Sequence, residues 1–185
     1  MILTTTLWLP ILLSAVFVFV AAAIVWMALP HHRTEWKGLP NEEAARAALK
    51  GLAPGQYVVP WCSPEHMNDP EHLKKREEGP NAWLTVLPPG ARGMGPQMAM
   101  SVVYYVLVSG VAAYVAGRTL GYGAPYLQVF RVVGTVSWVA YGWSSISDAI
   151  WFGKPWGSVA KQLGDALFYA LVTAGTFGWL WPEAM

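Results

Sequence analysis

The chain has 185 residues, of which 55% are hydrophobic and 12% charged, against about 25% charged in an ordinary soluble domain. Something other than water must therefore solvate part of it. A formal net charge of +1 gives no global field to recruit nucleic acid or a strongly charged substrate, and the single cysteine, Cys62, excludes an intramolecular disulfide framework.

The first predicted element is an apolar helix over 7–29. It carries no charged residue and is long enough to cross about 30 Å of hydrocarbon. Residues 1–6 contain no Lys or Arg, and no small-x-small cleavage site ends the run. A retained anchor is expected rather than a cleaved signal peptide.

Residues 30–97 form a polar insertion holding ten of the fourteen prolines, so it cannot be one long helix. Pro40, Asn41, Glu42 and Glu43 open a short helix, with acidic groups at its positive end and Gly51 after its close. A second short helix is predicted from Asp69–Pro70–Glu71 to Gly79. Strands are expected at 56–60 and 83–87. The result is a small α+β unit.

Three further spans are expected in the membrane region 98–185. The second, 98–117, places Ser109, Ala113 and Gly117 at every fourth position, a spacing that lets helix backbones approach closely. The third, 126–148, contains Arg131 and ends in Asp148. A turn at Trp151–Trp156, with aromatics at headgroup depth, leads to the fourth, 164–181, where Ala170, Ala174 and Gly178 repeat the small-residue spacing. The expected fold is thus an all-α bundle of four transmembrane helices with a polar α+β insertion between helices 1 and 2. Eleven Trp suit such a protein, because indole collects at membrane–water interfaces.

Basic residues indicate orientation. Eight of the twelve Lys and Arg lie between spans one and two, and Lys154 and Lys161 lie between spans three and four. Basic groups stay preferentially in the cytoplasm. Both termini are therefore expected outside the cytoplasm, in the inner (plasma) membrane of a bacterium.

Candidate chemistry is sparse. Cys62, His66 and His72, with Asp69 between them, are metal-ligating types, but their spacing matches no strong zinc pattern. His31 and His32 directly follow the first span and could ligate a pigment or haem near the surface; such residues are more often interfacial polar groups. All four histidines lie outside the spans, so no cofactor is expected on histidines within the membrane. Arg131, Asp148 and Asp165 are the ionisable groups in or beside the spans, where such groups are costly and often functional. Arg131 and Asp148 are about 25 Å apart along a helix, too far to pair. There is no P-loop, dinucleotide-binding, serine-hydrolase or zinc-protease motif.

Several segments together resemble a family of four-span bacterial integral membrane proteins of unknown function. They are the His-His-Arg-x-x-Trp stretch at 31–36, Pro54–Gly55–Gln56–Tyr57, Ala124–Leu127, Ile150–Trp156 and the closing Thr176–Pro182. The resemblance spans nearly the whole chain. It implies membrane topology and carries over no activity. The expected function is a non-catalytic accessory or scaffolding subunit of a larger membrane complex, with lipid and other membrane subunits as partners. The alternatives are a small proton-coupled transporter using Arg131, Asp148 and Asp165, and a metal-dependent membrane enzyme with its ion in the 62–72 loop.

Overall fold

The computed structural model describes residues 2–90 and 93–184. The chain is mostly helical with one small sheet. In order it forms α1 (Trp8–Ala23), α2 (Glu42–Leu49), β1 (Gly55–Val59), α3 (Pro70–Glu78), β2 (Ala82–Val86), α4 (Met94–Thr119), α5 (Tyr126–Gly142), α6 (Ser144–Phe152) and α7 (Trp156–Trp179). These elements fall into two compact units, residues 2–36 with 93–184, and residues 37–90.

The first unit is a helical bundle. A 3-10 turn, Thr4–Leu7, runs straight into α1, and α1 widens into a π-helical turn over Ile24–Ala28. The Leu29 N–H closes that turn on the Ile24 carbonyl at 3.2 Å. Helix α1 packs on α4 and α7, and α5 packs on α4 and, most extensively, on α7. Small residues mediate the closest approaches. Ser109, Ala113, Ala170 and Ala174 are buried, and a Cβ at Gly117 would lie 2.7 Å from the Ile2 carbonyl oxygen. The larger core side chains include Leu7, Val129, Val133 and Phe177.

Several hydroxyls are buried among the apolar core, while aliphatic side chains line much of the outer face of α1 and α4. Ser14, Ser109, Ser137 and Thr173 are fully buried, and the Ser14 and Ser109 hydroxyls bond each other across α1 and α4 at 3.0 Å. Meanwhile Leu12, Val16, Val20, Val103, Leu107 and Val111 on the same two helices are each about half exposed.

Two helical runs, Thr4–Ala28 and Met94–Thr119, have the length and apolarity to cross a bilayer. The other two expected spans differ in form from the sequence reading. The predicted helix over 126–148 is divided at Trp143, leaving the 17-residue α5 and the 9-residue α6. Two contacts explain the division. Gly142 is pressed against Ala166 on α7, and the Ser145 hydroxyl donates to the Gly142 carbonyl at 2.6 Å, diverting an acceptor from the helical ladder. Helix α7 starts at Trp156 rather than 164, so that Lys161 joins Asp165 within it.

One end of the bundle gathers both ends of the described chain. The Ile2 N–H donates to Gly117, the Gly123 N–H to Pro182, and the Trp181 indole to Gly121. The far end of α1 and the first turns of α7 meet at the opposite end.

The second unit is a two-stranded antiparallel sheet with two short helices. The register pairs Gly55 with Val86 and Val59 with Ala82, one residue earlier in each strand than predicted. The Asn41 side chain caps α2 by accepting the Ala44 N–H at 3.0 Å. Pro70 opens α3, and Gly79 ends it in the left-handed region at φ 68°, a conformation cheap only for glycine. None of the described residues of this unit is buried, as expected of so small a fold.

Candidate functional site

The polar site of the bundle lies where the chain leaves α1 and meets α7. After the π-helical turn, residues 31–34 form a tight turn that presents two consecutive imidazoles to one face of α7. His31 Nε2 lies 3.1 Å from Asp165 Oδ1, and His32 Nε2 lies 2.6 Å from Asp165 Oδ2. A single carboxylate thus engages both rings, one through each oxygen, although 133 residues separate His32 from Asp165.

A second layer fixes this geometry. His32 Nδ1 is 2.8 Å from Glu35 Oε1, so His32 faces a carboxylate oxygen from each ring nitrogen. The Trp26 indole, carried by the π-helical turn, stacks on the His32 ring with centroids 4.0 Å apart and planes within 3°. Lys161, one turn before Asp165 on α7, donates to the His31 carbonyl and, at 3.0 Å, to the Thr34 hydroxyl. It also lies 3.7 Å from Glu35. The side chains of His32, Glu35 and Asp165 are buried or nearly so, and His31 is about one-third exposed.

The charges do not cancel. Two carboxylates face one ammonium, an excess of one acidic group that a bound cation would balance. Asp165, His31 and His32 also form the one group of three or more His, Cys, Asp or Glu residues, among those described, whose potential ligand atoms converge.

No protein-family model, curated protein or solved structure matches this chain. The chemistry of the site therefore rests on its own geometry.

The other sequence-predicted residues are dispersed. The sequence groups Asp165 with Arg131 and Asp148, but the three have separate surroundings. Asp148 lies 3.6 Å from Lys154, which also donates to Gln162. Arg131 lines a groove of about 190 Å³ between α5 and α7 with Trp138 and Leu171. In the 37–90 unit, Cys62 and His72 line a cavity of about 350 Å³, whereas His66 is bonded to Asp69 at 2.8 Å on an exposed turn. Glu35 and Lys161 were not singled out from sequence as members of a site. The sequence signals are local spacings: Lys161 stands four residues before Asp165, on one helix face, and Glu35 three residues after His32.

Proposed function

We propose that this chain is a multi-pass integral membrane protein of a bacterial inner membrane, and that it acts as a non-catalytic accessory or scaffolding subunit of a larger membrane complex. In this reading α1, α4, α7 and the α5–α6 pair all lie in the bilayer. The observation that carries it is the exposed aliphatic face of α1 and α4, together with hydroxyl residues buried in the apolar core. Water penalises that arrangement, whereas lipid is as apolar as leucine and leaves small-residue packing and interhelical hydrogen bonds to hold helices together. Both ends of the described chain meet at one end of the bundle, which suits an even number of crossings. The basic residues of the 37–90 unit, with Lys154 and Lys161, would then face the cytoplasm.

The scaffolding role rests on the same surface. Exposed aliphatic stripes on α1 and α4 suit lipid and neighbouring helices equally, and the sequence supplies no catalytic motif. The carrier alternative requires Arg131, Asp148 and Asp165 to share one path, and each has different neighbours.

Cys62, the single cysteine, makes the topology testable. A membrane-impermeant maleimide should label it only after the inner membrane is permeabilised, whereas a cysteine introduced by Glu183→Cys should label in intact spheroplasts. Labelling of Cys62 in intact spheroplasts refutes the orientation, and release of the chain by alkaline carbonate refutes membrane integration. Purification from native membranes should yield stoichiometric partner subunits. A lone monomer with robust turnover would overturn the accessory role.

A further inference from the structure

The geometry points to a divalent metal site formed by His31, His32 and Asp165, which takes a d-block ion such as Zn2+ through two imidazole nitrogens and one carboxylate oxygen. This goes beyond the accessory role and does not depend on it. One ligand atom from each residue lies within 4.8 Å of the other two. In a tetrahedral zinc site with bonds of about 2.0–2.2 Å, neighbouring ligand atoms are about 3.4 Å apart. The 2.6 Å contact from His32 to Oδ2 needs to widen by less than about 1 Å to admit the ion, and His31, now 3.1 Å from the other oxygen, Oδ1, needs to turn toward the same position, both within the reach of side-chain rotation.

The donor set suits such an ion. Imidazole selects zinc and its neighbours over magnesium and calcium, and one carboxylate adds charge without excluding them. The surroundings also match those of metal-binding histidines, which typically give their second nitrogen to a carboxylate or carbonyl that fixes the ring. Here Glu35 holds His32 Nδ1 at 2.8 Å and leaves Nε2 directed at Asp165. Lys161 contacts the His31 carbonyl, Thr34 and Glu35 and so braces the turn that carries both histidines. The excess acidic group described above is what a cation would balance. The partly exposed His31 leaves a path for the ion and room for water at the remaining coordination positions. The bound ion would join the end of α1 to the first half of α7, two elements far apart in sequence.

The test uses the full chain in detergent micelles, stripped with chelator and titrated with Zn2+ by calorimetry, with Co2+ absorption as a second readout. One ion should bind per chain. Affinity should fall by about 100-fold or more in His32→Gln and in Asp165→Asn, and by about 10-fold in Glu35→Gln, which loses only the outer partner. A His66→Gln/His72→Gln double variant should bind as the wild type does. The Co2+ d–d bands should appear with the wild type and vanish with Asp165→Asn. Helicity and monodispersity are checked for each variant, and His31→Gln with Asp165→Asn decides the matter should His32→Gln fail to fold. Three results would each overturn the proposal: no saturable Zn2+ binding tighter than about 100 µM, about −5.5 kcal/mol; undiminished binding in Asp165→Asn; or loss of binding in the His66/His72 double variant.

Discussion

Replacing Gly142 with alanine tests the packing that divides the third hydrophobic segment. A Cβ at Gly142 would lie 2.6 Å from the Ala166 Cβ and 3.3 Å from the Leu163 Cδ2. Carbon atoms are in favourable contact at about 3.5–4.0 Å, so the end of α5 would have to withdraw from α7 by about 1 Å, enough to forfeit a quarter to a half of each dispersion contact it makes there. The Ala166 methyl is fixed to the backbone and cannot rotate away. The same movement stretches the bond of 3.1 Å from the Trp138 indole to the Leu163 carbonyl. Overpacking of this kind costs about 1–3 kcal/mol, and the better helix propensity of alanine returns at most about 1 kcal/mol. The expected net loss is about 1–2 kcal/mol. Gly164→Ala, between the two contacting residues in sequence but on an open face of α7, is the control, because a Cβ there meets nothing within 4 Å. Unfolding in detergent, followed by far-UV circular dichroism during heating or sodium dodecyl sulfate titration, should show Gly142→Ala less stable than wild type and Gly164→Ala equal to or above it. A Gly142→Ala protein as stable as the Gly164→Ala protein would refute the close-packing argument.

Other expectations follow from side-chain environments. Asp165→Ala leaves two imidazoles without their shared carboxylate and should cost about 2–4 kcal/mol; Asp148→Ala, at an exposed pair with Lys154, should stay within about 0.5 kcal/mol, and equal losses in the same unfolding assay would contradict the site. A double-mutant cycle of Ser14→Ala and Ser109→Ala should give a coupling of about 0.6 kcal/mol, the usual value for a hydrogen bond between membrane helices, whereas no coupling would mean that the two hydroxyls act independently. In α3 the hydrogen bond from Lys75, reinforced by its charge, holds the Glu71 carboxyl below its ordinary range. A group lowered in this way favours the folded form above the ordinary carboxylate range and loses that contribution as the pH falls through its own midpoint. NMR titration should show the Glu71 midpoint rising in Lys75→Met, and an unmoved midpoint would remove the pairing as the cause.

The 37–90 unit was legible because its signals are local. Asn41 caps α2, Pro70 starts α3 and Gly79 stops it, and each acts on the backbone within a few residues. The first hydrophobic segment was legible because length and apolarity are properties of composition. The division at Trp143 was not. The apolar pattern runs on through it, and the cause lies across the bundle at Ala166. The candidate site shows the same split. The two histidines stood out beside the first segment, but their partner on α7 emerges only when the helices pack. Cys62, His66 and His72 show the converse. Being close in sequence did not make them converge, because the 3-10 turn at Pro64–His66 turns His66 toward Asp69 while Cys62 and His72 line the cavity.

The wide turn at Ile24–Ala28 gives the length of this segment an angular meaning. A π-helical turn accommodates one more residue than the α-helical turn it replaces, and each residue of an α-helix advances the chain by about 100° around the axis. Deleting one of the five would close an ordinary α-helical turn and leave the chain beyond it on nearly the same heading, because the wide turn already takes up that residue. Adding one more leaves no widened turn to absorb it and would swing everything after it by roughly that angle. Trp26 would then leave the His32 ring, and the two imidazoles would depart from α1 on the wrong side of α7. An added codon here would change direction rather than reach, so this short segment should tolerate residue exchange or loss far better than a gain.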